Sequence, residues 1–221
     1  MSDNTATFFD AIRSGDVSQV KSLLDANPSL SSSKNESGAS ALLMSIYTGR
    51  HEIRELLLAR GATVELHEAA AAGNLDRVKQ FVEKNRAAAK SFSPDGLPIF
   101  ALACFFGHFD TARYLARQGA DLQAAATNGT GYNALTAAVA AGHTSIVEWL
   151  LASGVDANYH YGAGYTPLLT AAANGHLEIV KLLVAHAADL HATTNDGKSA
   201  IALASERQHL AVAEFLRESG A

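Results

Sequence analysis

The sequence predicts an all-α solenoid of about seven helix-turn-helix units, and three observations carry that prediction. The stretch Tyr161–Leu190 reads as a turn followed by two short helices with apolar residues at helical spacing. A glycine that would close the first helix of such a unit recurs as Gly15, Gly49, Gly73, Gly107, Gly142 and Gly175, with Gln208 in the seventh place, at intervals of 34, 24, 34, 35, 33 and 33 residues. Twelve residues after this series a second one reads Gly61, Gly119, Gly154, Ala187 and Gly220. Two helices this short cannot bury both of their faces, so stacked copies must complete each other's core.

Within the template, Gly162-Ala163-Gly164 supplies a turn, Thr166 a helix cap, and Pro167 a first helical position where its missing N–H costs nothing. Leu168, Ala171 and Ala172 give a narrow apolar face that Asn174-Gly175 terminates. Ile179, Val180, Leu182 and Leu183 form the core face of the second helix, with Glu178 and Lys181 outward.

Taken in order, residues 1–4 are expected to be a frayed, disordered tail, followed by units at about 5–34, 35–63, 64–92, 93–126, 127–160, 161–193 and 194–221. Shifting Phe8–Thr63 by 58 residues lays it without a gap on Leu66–Asp121, so units one and two look duplicated as three and four. The interval of 24 arises because Thr63-Val64-Glu65 runs almost directly into the helix at Leu66. Before unit five, Thr127-Asn128-Gly129-Thr130-Gly131 carries two extra residues, which predicts a longer, more mobile turn tip. In the last unit Glu206, Arg207, Glu214, Arg217 and Glu218 suit an outer face with no further neighbour.

The segment TPLLTAAANGHLEIVKLLV, Thr166–Val184, resembles the ankyrin repeat, and NALTAAVAAGHTSIVEWLLASGVDAN, Asn133–Asn158, does so nearly as well. The resemblance extends from about Thr5 to Ala221, although the Thr-Pro-Leu-His signature becomes SALL at Ser40–Leu43, PIFA at Pro98–Ala101 and SAIA at Ser199–Ala202. It implies an ankyrin-repeat solenoid whose turns project as β-hairpin fingers, with one finger short or missing between repeats two and three and a gap in the row there. It also implies a non-catalytic protein-protein interaction module that binds a protein partner through its concave face and fingers.

In that family the two residues before the closing glycine and those flanking the turn line the concave face. Here these places hold Tyr47, Leu97, Phe105, Phe106, Tyr132, Tyr159, Tyr161 and Tyr165. Aromatics on a rigid scaffold are residue types that dominate binding energy, so these eight are the candidate partner-binding residues.

Composition narrows the alternatives. Over 221 residues, 17 Lys plus Arg stand against 22 Asp plus Glu, for a net charge of −5 and no cationic cluster, which gives nucleic-acid binding no support. No apolar run approaches the roughly 20 residues of a membrane span. A single cysteine, Cys104, and no signal-like start point to a soluble, cytoplasmic, monomeric protein. Cys104 and Trp149 both fall at core positions of the unit. His108, His143 and His176 recur once per unit after the closing glycine, a spacing that suits rings bonded to backbone rather than a shared metal. Neither a catalytic residue nor a cofactor is assigned. Two other readings stay open: a metal-dependent protein or enzyme with a site near His160, His186 and His191 or at the Gly129–Gly131 loop, and a structural or inhibitory subunit of a larger complex.

Overall fold

The computed structural model describes residues 3–221. Met1 and Ser2 of the expected tail lie outside the described residues, while Asp3 and Asn4 already belong to the first helix.

Among the described residues there are fourteen α-helices and no strand beyond isolated bridges: α1 (Asp3–Ser14), α2 (Val17–Ala26), α3 (Ala41–Tyr47), α4 (His51–Ala59), α5 (Leu66–Ala71), α6 (Leu75–Lys84), α7 (Ile99–Phe105), α8 (Phe109–Arg117), α9 (Ala134–Ala141), α10 (Thr144–Ala152), α11 (Pro167–Asn174), α12 (Leu177–Ala185), α13 (Ala200–Glu206) and α14 (Leu210–Glu218). Each odd helix packs against the even helix that follows. The odd helices also pack on one another in order, from α1 on α3 to α11 on α13, and form one layer. In the second layer, α2 touches α4, α6 touches α8, and α12 touches both α10 and α14.

Local chemistry explains the boundaries. Side chains of Ser40, Asn133, Thr166 and Ser199 accept the backbone N–H three residues on and start α3, α9, α11 and α13. The closing positions adopt left-handed backbone throughout, including the two places where the glycine series break: Ala187 has φ 59° and Gln208 φ 63°. The fold imposes that conformation there even on residues with a Cβ.

The doubling is reproduced by the backbone. α2, α3 and α4 shifted by 58 residues coincide with α6, α7 and α8, and the 3-10 turn Pro28–Ser32 coincides with Arg86–Lys90. Connections between helix pairs cover residues 27–40, 85–98, 118–133, 153–166 and 186–199, but only residues 60–65 join α4 to α5. Four of the long connections are closed by a single antiparallel bridge: Lys34 with Ser40, Phe92 with Pro98, Tyr161 with Tyr165, and Thr193 with Ser199.

The short connection does not leave the turn tips apart. A methyl placed on Gly38 would lie 3.3 Å from Pro94 Cβ, so the turns on either side meet across the missing one.

The core divides at the same place. One cluster runs from Phe8 to Ala62 and another from Leu66 to Leu216, with a small bridging cluster of Ala39, Leu43, Ile46 and Ala71 between them. Glu68 substitutes for the absent turn as a starter of α5. Its Oε2 accepts the Glu65 N–H (2.9 Å), and its Oε1 accepts from the Ser40 hydroxyl at the start of α3 (2.6 Å). His67 Nε2 lies 3.0 Å from the same Oε1, without the alignment of a hydrogen bond. Burial would raise the Glu68 pKa, but the adjacent His67 ring and the hydrogen bond from the Ser40 hydroxyl outweigh it and hold the carboxyl below its ordinary range.

Candidate partner-binding groove

The odd-helix layer carries a groove of two adjoining chambers that share Thr130 and Tyr132. The first, about 290 Å³, is walled by Tyr47, Leu97, Leu102, Phe105 and Tyr132, with Ala101 and Ala137 beneath. The second, about 400 Å³, lies among Tyr132, Tyr161, Tyr165, Ala140 and Ala173 and is bounded by Asn174 and Arg207.

Phe105 is the clearest feature of the first chamber. It ends α7 with 42% of its surface exposed, against a structure whose other large apolar side chains are mostly buried. Its backbone is fixed from the next pair, because His143 Nε2–H donates to the Phe105 carbonyl (2.8 Å). A carbonyl can only accept, so the proton sits on Nε2.

The adjacent Phe106 has a different place. Its ring stacks on Tyr47, with centroids 5.9 Å apart and planes 10° from parallel, and meets Phe105 edge-on. Both Tyr47 and Phe106 pack onto the bridging core cluster. The Tyr47 hydroxyl donates to Asp95 Oδ2 (2.8 Å), and burial and the Asp95 charge push its pKa up.

The tyrosines divide similarly. Tyr132 forms the ridge between the chambers, and Tyr165 faces the second. Tyr159 donates to the Gly131 carbonyl (3.0 Å) and stacks on Tyr161 at 6.3 Å, while the Tyr161 hydroxyl bonds Thr170 Oγ1. These contacts tie the long 118–133 connection to the next one. Thr127 N–H donates to the Gly96 carbonyl (2.9 Å) and Asn128 Nδ2 to the Asp95 carbonyl (2.9 Å), so the tip expected to be mobile is bonded to its neighbour.

Of the eight residues singled out by sequence, Tyr47, Leu97, Phe105 and Tyr132 therefore meet in one chamber, and Tyr132, Tyr161 and Tyr165 in the other. Phe106 and Tyr159 line neither and act from behind. Arg207 was read from sequence as an outer-face residue of the last unit, yet it lines the second chamber, with Nη1 donating to the Ala173 carbonyl (3.1 Å). The signal was present: Arg207 precedes the closing position Gln208 as Asn174 precedes Gly175 and Phe106 precedes Gly107.

The remaining candidates are structural in geometry. His108 Nε2–H donates to the Ala71 carbonyl (2.9 Å), and burial leads the causes that lower its pKa. The rings of His108, His143, His176 and His209 each lie against the closing glycine of the preceding pair. Cys104 is fully buried, which raises its thiol pKa. Trp149 packs between Phe100 and Phe109 at 6.1 and 5.5 Å. His160, His186 and His191 are exposed, and among the described residues no group of three or more potential ligands could hold a metal ion. None of the described helices is long and apolar enough to cross a membrane.

A family model for ankyrin repeats matches the chain in three copies, over residues 66–161 and 153–221. No curated protein matches it.

Proposed function

Because the chain belongs to the ankyrin-repeat family, we propose that it is a protein-interaction module whose partner lies along the odd-helix layer and the turns beside it, and that it catalyses no reaction. Ankyrin repeats generally serve as protein-interaction modules. The family match begins at Leu66, and the 58-residue coincidence of helix boundaries extends the same reading to the first two helix pairs, for a total of seven repeats. In this reading the bridged turns are the hairpin fingers, and the groove is the concave face.

The observation that carries the proposal is Phe105. A solitary exposed apolar side chain means little, but this one forms a chamber wall with Tyr47, Leu97 and Tyr132 on a backbone locked by His143. Preorganised aromatic walls lose little entropy when a partner docks. The test is quantitative affinity capture from extracts of the source cells with wild type and Phe105→Ser. Captured proteins that disappear with the variant, at unchanged melting temperature, support the proposal. An identical captured set contradicts it.

A further inference from the structure

The charge distribution along the groove is lopsided. The residue pairs that precede the closing position on α3, α5, α7, α9 and α11 include no charged side chain. The pair on α13 is Glu206-Arg207, and Glu206 is already held by Lys198 at 2.7 Å. Arg207 is anchored to a backbone carbonyl at the end of α11, and among the described residues it belongs to no ion pair. A guanidinium held by one edge presents its remaining N–H groups as a ready fork for a carboxylate. At the other end, the Phe105 chamber has apolar walls, and its Tyr47 hydroxyl is already taken by Asp95.

We infer that the groove takes a partner segment that is uncharged along its middle, places one large apolar side chain in the Phe105 chamber, and sets a carboxylate against Arg207. This rests on the reading of the groove as the partner surface. Neighbouring packed helices lie roughly 8–10 Å apart, and the Arg207 guanidinium reaches back to the Ala173 carbonyl at the end of α11 (3.1 Å), so from the chamber between α7 and α9 to that guanidinium is roughly 15–18 Å. At about 3.3 Å per residue, an extended segment separates the apolar anchor from its acidic residue by about five or six positions.

The test is selection of binders from a phage-displayed library of random 16-residue peptides on the purified chain. Synthetic copies of the selected peptides are then titrated against wild type, Phe105→Ser, Thr130→Trp and Arg207→Glu. Phe105 and Thr130 are both exposed, so these variants should fold, and thermal melting checks that they do. The expected consensus is a Leu, Phe or Trp with an Asp or Glu five or six positions away. Affinity should be lost with Phe105→Ser and Thr130→Trp, fall about tenfold with Arg207→Glu, and recover on that variant when the peptide's acid is exchanged for Lys. Peptides that need Phe105 and Thr130 but show no acidic enrichment and ignore Arg207→Glu would overturn this inference and leave the groove reading standing. Peptides indifferent to all three variants would overturn both. A chain that sediments as a dimer and becomes monomeric with Phe105→Ser would assign the groove to a second copy, and overturn the inference as well.

Discussion

Tyr47 on α3 and Phe106 at the end of α7 stack nearly parallel at 5.9 Å, although the whole α5/α6 pair separates them in sequence. They meet because the intervening helix offers only Ala71 and Ala72 at the corresponding places, so large rings on either side close over it. The contact lies where the two main core clusters meet. It links a local substitution pattern to cohesion of the stack and, through Phe105, to the groove.

Phe105 and Phe106 should separate in a stability measurement. Phe106→Ser removes a half-buried ring from the junction and is expected to cost about 1–3 kcal/mol in urea unfolding. Phe105→Ser should stay within about 0.5 kcal/mol of wild type. Equal losses from the two would show that Phe105 belongs to the core.

Glu68 should make stability fall at acid pH. Its folded pKa is lowered, so its contribution is present above the unfolded value of about 4.3 and is lost as pH falls through the folded value. Glu68→Gln should cost about 1–3 kcal/mol at neutral pH and flatten the acid limb of a stability-pH curve. An unchanged acid limb would count against the link between Ser40, Glu68 and α5.

Closing glycines should not be equivalent. Alanine at Gly154 meets nothing within 4 Å and pays only the left-handed conformation, about 1 kcal/mol. Alanine at Gly107 would also place a Cβ 2.6 Å from His143 Cε1, so its cost should exceed about 2 kcal/mol. Adding His143→Ala should recover part of the excess, read in a double-mutant cycle.

Ala187 and Gln208 offer the converse. Each holds a positive φ with a Cβ present, so Ala187→Gly and Gln208→Gly are each expected to stabilise by about 1 kcal/mol in thermal melting. Destabilisation at either site would show that the lost side chain contributes more than the relieved backbone.

The repeat pattern was legible because it is local. Positive φ selects glycine one residue at a time, and the 58-residue doubling survives as coincident helix boundaries. The short 60–65 connection was equally visible. The meeting of Gly38 with Pro94 was not, because it depends on how two distant turns lean once a third is removed. Nor does spacing divide adjacent Phe105 and Phe106 between groove and junction, since that depends on the small size of Ala71 and Ala72. Arg207 was hidden by its charge, which suited an end cap, although its position in the closing series placed it on the groove.

The central claim, that the partner lies in the groove, is tested most directly by site-specific photo-crosslinking. A photoreactive residue is placed at Thr130, shared by both chambers, or at Glu148, exposed on α10 in the other layer. With extracts of the source cells, adducts to a discrete partner from position 130 and none from position 148 are predicted. Adducts from position 148 and none from position 130 would contradict the account.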